Sequence, residues 1–267
     1  FIRMTGVITL TLAVNLIGIY KVQREENPAA IGFFFLGGLF YGASIMLIAQ
    51  IYHIGEHFPD GIFWWAIGVL PMAVLMGSSL LMILATVLGF IWFFVESSLH
   101  YYPAIFPVFL AAAAWHCFRV KQSNILFLSL VGGLGCWVEY GYSWVLGDFR
   151  HFDIGAENIA LGVGIFFLFY GLSKWLVCRK NTMLGDYGTL LGVWTLRFTV
   201  LSLLVFSFKD PWLELLAADW EFPALTLGLA SLFSGVSIWL IYSANREIFL
   251  IVSISVLNVI VLLMVMG

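Results

Sequence analysis

Charge is what this sequence has least of. Asp, Glu, Lys and Arg together make up 10% of its 267 residues, against about a quarter in soluble domains. Too few charges remain to clothe a water-facing surface of this size. The twelve basic residues form no stripe, so nucleic acid is not an expected partner. Three cysteines, Cys117, Cys136 and Cys178, make no CxxC pair, which argues against a disulfide framework or a thiolate metal cluster. Also missing are a Walker A loop, a GxSxG elbow, Rossmann glycines and a CxxCH haem attachment. ATPase, serine hydrolase, dehydrogenase and c-type cytochrome therefore have no sequence support, and no cofactor is assigned.

What fills the space is hydrocarbon: 62% of residues are hydrophobic and the mean hydropathy is +1.03. Lipid is then the solvent for most of the chain, and backbone amides in lipid must be paired within helices or a closed barrel. Apolar runs of about 17 to 25 residues without strict alternation select helices. The expected fold is all-α, a polytopic integral membrane helix bundle forming a single transmembrane domain over residues 1–267. About ten spans are expected, at residues 4–20, 29–52, 62–76, 79–95, 103–118, 124–147, 158–178, 188–207, 222–243 and 248–266. Pro71 and Pro107 fall in two short ones, so kinked or re-entrant helices there would lower the count to eight or nine. The chain begins at Phe1, and an N-terminal portion is expected to precede it.

Residues 37–61, GGLFYGASIMLIAQIYHIGEHFPDG, join a membrane-length apolar run to a short polar knot with Gln50, Tyr52, His53, Glu56, His57 and Asp60. His53-Ile-Gly-Glu56-His57 has the HxxEH order of inverted zinc peptidases, in which two histidines on one helical face hold the metal. Gly55 and the Phe58-Pro59-Asp60-Gly61 turn oppose a rigid helical platform, so a loop with incidental histidines is the competing reading. The run QIYHIGEHFPDGIFWWAIGVLP resembles a prokaryotic family of predicted membrane proteins, domain of unknown function 2157, in its glutamine-x-tyrosine-histidine, phenylalanine-proline and tryptophan-alanine elements. The resemblance extends over roughly the first hundred residues. It implies a membrane protein and brings no established activity, so no catalytic residue is carried over from it.

Lys and Arg in short loops set orientation. With the Lys21/Arg24 loop cytoplasmic, Arg119, Lys121, Arg179, Lys180 and Arg246 fall on the same side, and Arg3, Arg150 and Lys209 on the other. The acidic loops then face outward, as expected of a bacterial inner (cytoplasmic) membrane protein with an acidic periplasmic face. His53, His57, His100 and His151 also fall on that side. With nearby acids such as Glu56, Asp60, Glu96 and Asp153 they compose a candidate metal or proton site, or they are loop histidines that never meet. Residues 209–221, KDPWLELLAADWE, have the spacing of a short amphipathic helix lying on the outer surface.

LFYGAS at residues 39–44 recurs as LFYGLS at 168–173, and the same offset pairs Trp65 with Trp194. Spans one to three would map onto six to eight, inverted across the membrane, with half-repeats 1–123 and 124–267; chance matching in a Phe- and Gly-rich alphabet is the alternative. The Gly38-xxx-Gly42 and Gly188-xxx-Gly192 pairs are read as surfaces for close helix packing. Within the spans the telling ionisable residues are Glu139 and Arg197, since a lone charge at mid-depth costs about 3 kcal/mol or more. They are expected either to pair or to share a polar pathway with Gln50, Tyr52 and Tyr140. Asn258 is read as an interhelical hydrogen bond.

These features favour a transporter or permease of a small solute or lipid-like molecule, with a central polar site near Gln50, Glu139 and Arg197. A non-catalytic structural or assembly subunit of a membrane complex, or a homo-oligomer, is the alternative. A membrane enzyme using the outer histidines comes third. The lipid bilayer is the expected partner in every case.

Overall fold

A computed structural model describes residues 2–52, 59–205, 207–209, 222–244 and 250–257. The helices are α1 (Ile2–Gln23), α2 (Asn27–Tyr52), α3 (Pro59–Leu75), α4 (Ser79–Ser98), α5 (Pro107–Trp115), α6 (Asn124–Leu146), α7 (Ala156–Val177), α8 (Thr182–Val205) and α9 (Pro223–Ala244), and residues 250–257 are also helical. Among the described residues there is no strand. The helical membrane bundle expected from composition is the fold observed. Seven of these helices, all but α3 and α5, are long and apolar enough to cross a membrane.

Local chemistry sets the boundaries. Lys21 Nζ meets Glu26 at 2.6 Å across the α1–α2 turn, and the Arg24 guanidinium lies 4.6 Å from the centre of the Tyr20 ring. Gly77, at φ +54°, makes the α3–α4 turn, a left-handed conformation that costs glycine nothing. Pro107 opens α5 at the position where a missing N–H does no harm. That helix ends in a π turn over His116–Val120, whose wider ring puts buried His116 Nε2 2.9 Å from Ser79 Oγ. The eighth expected span begins six residues earlier than read, because Asn181 Oδ1 accepts the Met183 N–H at 2.9 Å and caps α8 ahead of polar Gly185 and Asp186.

The chain divides into two compact units, residues 1–137 and 138–267, with the boundary inside α6. In the first unit α2 packs on both α1 and α3, and α4 on both α3 and α5. Small and polar residues bring the helices close. Thr11 Oγ1 lies 3.2 Å from Ser44 Oγ between α1 and α2. The Trp65 indole of α3 occupies the groove over Gly42, where an added Cβ would come within 2.2 Å of the ring, and its N–H donates to the Gly38 carbonyl at 2.8 Å. The Gly38/Gly42 pair is thus the packing surface its spacing suggested. Trp65→Phe keeps an aromatic ring, though a smaller one in the Gly42 groove, and removes the donor, leaving Gly38 with its helical bond alone. A loss of about 1 kcal/mol is expected in thermal unfolding in detergent, and an unchanged midpoint would deny the bond any weight.

In the second unit α7 is central, packed on α8 and α9. Gly188 of α8 approaches the Ser173 carbonyl so closely that a Cβ would lie 2.8 Å from it, and Gly192 faces Ser173 Oγ. Gly171 of α7 sits against the backbone of Ser237 on α9. The two copies of the LFYG hexamer therefore use the same glycine, Gly42 and Gly171, for close approach. Their partners differ: Trp65 in one, Ser237 in the other, with Trp194 set against Phe198 at 5.9 Å.

Candidate functional site

A polar cluster gathers where α6, α7 and α9 meet. Glu157 is the second residue of α7 and is 5% exposed. The Tyr142 hydroxyl of α6 donates to its Oε2 at 2.6 Å, the Thr226 hydroxyl of α9 donates to the same oxygen at 2.8 Å, and the Phe222 N–H donates to Oε1 at 3.0 Å. The Tyr142 and Thr226 hydroxyls also touch each other. The carboxylate so placed caps the start of α9, where the helix dipole favours negative charge. Every donor to it is neutral.

The next residue, Asn158, continues the network. Its Oδ1 accepts the Gly155 N–H at 3.2 Å, and its Nδ2 reaches Ser143 Oγ at 2.7 Å and Glu139 Oε2 at 3.2 Å. Glu139 is half-buried, its other oxygen close over Gly162 of α7. Glu139 of α6 is thus held by the Asn158 amide, and Glu157, the residue before Asn158 on α7, by hydroxyl groups of α6 and α9. Among the described residues no basic side chain forms a salt bridge with either carboxylate.

The expected Glu139–Arg197 pair is not formed. Arg197 is exposed on α8, its guanidinium 5.2 Å from the centre of the Trp194 ring. Helical rotation explains this: Tyr187, Leu191 and Thr195 form the buried face, and two residues beyond Thr195 is a turn of about 200°. Tyr140 is half-buried with its ring edge-on to Phe152 at 5.5 Å. Gln50 and Tyr52 are exposed at the end of α2, in the first unit. His53, Glu56 and His57 lie outside the described residues, as do Asn258 and most of the expected amphipathic segment, residues 210–221.

His100 is exposed at φ 64° after α4, in the first unit, and His151 is exposed in the α6–α7 connection of the second. Among the described residues no three His, Cys, Asp or Glu side chains are grouped to hold a metal ion. Glu157, Tyr142, Ser143, Asn158 and Thr226 are the residues that sequence reasoning passed over. A signal did exist for the first of them, an acid two residues into a membrane helix behind a glycine cap. Its partners, 15 and 69 residues away in the chain, left none.

The family model described as predicted membrane protein, domain of unknown function 2157, matches residues 1–82. Over this stretch the chain is similar to that family. The match takes in α1, α2, α3 and the first residues of α4, all in the first unit. The match accounts for the resemblance seen around residues 50–71 and for membrane embedding, and the α6–α7–α9 cluster lies beyond it. No curated protein and no solved structure matches the chain.

Proposed function

We propose that this multi-pass membrane protein is a transporter or permease of a small solute, and that the Glu139–Asn158–Glu157 cluster handles the proton or small cation that accompanies it. One observation carries the reading: two carboxylates in membrane-length helices are held by neutral donors, with no basic side chain against them. Charge inside a bilayer is expensive and marks ion pathways more often than structure. A carboxylate that has only hydroxyl and amide partners is neutralised by a proton or by a cation that enters from water. Tyr142, Thr226 and Ser143 supply the oxygens that such a cation needs.

The excess of Lys and Arg on one set of loops supports an inner-membrane placement with the Lys21/Arg24 loop cytoplasmic. The cluster then lies toward the periplasmic ends of α6 and α7. The two LFYG hexamers support an inverted duplication of the kind found in secondary transporters. A second reading, a structural or assembly subunit, draws support from Glu157, both of whose oxygens are already satisfied.

Access of water separates the two. Single cysteines at Glu139, Tyr140 and Ser143, in a background lacking Cys117, Cys136 and Cys178, are to be treated in intact cells with a membrane-impermeant maleimide. A transporter predicts labelling at one or more of these positions. No labelling of folded, membrane-inserted protein would mean a closed core, and the transport reading would give way to the scaffold.

A further inference from the structure

Arg197 poses a different problem from the carboxylates. Arg197 is the sixteenth of the 24 residues of α8 and its guanidinium lies against Trp194, the thirteenth, so the charge sits within the middle third of a membrane-length helix. Its surroundings are apolar and uncovered: Leu196 is 54% exposed, Phe198 48%, Val200 64% and Leu201 56%. With Trp194 these residues line a shallow groove around it. Other exposed apolar residues need nothing but lipid tails. A guanidinium at this depth does, because it cannot be neutralised by losing its proton.

We infer that this face of α8 docks a membrane helix of another protein, one that carries a carboxylate at mid-depth. Charge complementarity specifies the chemistry: a planar guanidinium in a dry setting is matched by a carboxylate, with two parallel hydrogen bonds. Depth argues against a phospholipid headgroup, since the hydrocarbon of a bilayer extends about 15 Å from its centre, with the phosphates beyond it, and a guanidinium held over Trp194 does not reach them. A second copy of this chain is the weaker occupant. The carboxylates of α6 and α7 are already engaged, Glu139 by Asn158 and Glu157 by Tyr142, Thr226 and Phe222. Asp186 lies on α8 itself, eleven residues from Arg197, or about 16 Å along the helix. This apolar face suits a partner whose own apolar side chains flank the acid and rest on the paired Trp194 and Phe198 rings.

The test uses the full chain, purified and reconstituted in phosphatidylcholine vesicles with a fluorescent poly-leucine helix of membrane length bearing one central Glu. The same helix with Gln is the comparison, and energy transfer to a donor on the protein reads association. The Glu helix is expected to associate about tenfold more strongly than the Gln helix, a difference of about 1.4 kcal/mol. Arg197→Leu should erase the difference and Arg197→Lys should keep part of it. The Glu-against-Gln comparison on the unaltered protein requires no variant to fold. Equal association of the two helices would overturn the proposal, as would an undiminished preference in folded Arg197→Leu. A wild-type dimer that disappears in Arg197→Leu would overturn it in favour of a second copy. Displacement of the Glu helix by phosphatidylglycerol would overturn it in favour of lipid.

Discussion

Glu157→Ala is expected to be among the most damaging single substitutions in the second unit, at roughly 3 kcal/mol. Three donors converge on this side chain, the Tyr142 and Thr226 hydroxyls and the Phe222 N–H. Its removal would leave the Phe222 N–H without an acceptor in a site that is 5% exposed, and would throw the Tyr142 and Thr226 hydroxyls back on each other and on the Phe222 carbonyl. Interhelical hydrogen bonds in membranes contribute about 0.6 to 2 kcal/mol each, and an orphaned buried donor adds its own desolvation cost. Glu157→Gln retains a carbonyl acceptor and should lose less than half as much. Thermal unfolding of the purified protein in detergent measures both. Equal midpoints for wild type and Glu157→Ala would show that the network has no structural weight, and would leave a role in transport as the reason for it.

Gly171→Ala should separate α7 from α9. A Cβ there would lie 2.5 Å from Ser237 Oγ, 2.8 Å from Ser237 Cα and 2.9 Å from its carbonyl oxygen. Two of those atoms are backbone, so the helices must move apart rather than a side chain swing aside. The Ser237 hydroxyl would also lose its 2.6 Å bond to the Phe167 carbonyl as the pair shifts. Overpacking of this kind costs about 1–3 kcal/mol, and the upper end is expected here. Gly228→Ala and Gly235→Ala on α9 provide the comparison, because a Cβ at either position meets nothing within 4 Å. Those two should be neutral or slightly stabilising through helix propensity. If all three variants melt together, close α7–α9 packing is not what holds this unit.

What could be read in advance divides along a physical line. Membrane helices were legible because their signal is local: a run such as residues 79–95 is apolar throughout and needs no distant partner to declare itself. The close-packing glycines were legible for the same reason, since Gly38 and Gly42 mark one helix face by their spacing alone. The start of α8 was lost because Gly185 and Asp186 look like loop residues unless Asn181 is recognised as the cap that lets a helix begin before them. Arg197 was matched to Glu139 by depth, and depth is half of the geometry. Rotation about the helix axis decides which residues face each other, and a near-uniform apolar helix such as α8 gives no amphipathic pattern from which to read it. The Glu157 cluster was hidden for another reason, that its members come from three helices and only Glu157 is charged.

The two short helices bear on where in a cell this protein can reside comfortably. α3 has 17 residues, a length of about 25 Å, against a hydrocarbon thickness of about 30 Å. The apolar stretch Pro107–Val120 is shorter still. Neither can tilt, because tilting helps only a helix that is too long. If they cross, the lipids around the first unit must dip toward them, at a cost of a fraction of a kcal/mol for each ångström. Short acyl chains relieve that deformation and sterol-like stiffening aggravates it, so membrane thickness itself becomes a variable that tunes the stability of this half of the molecule.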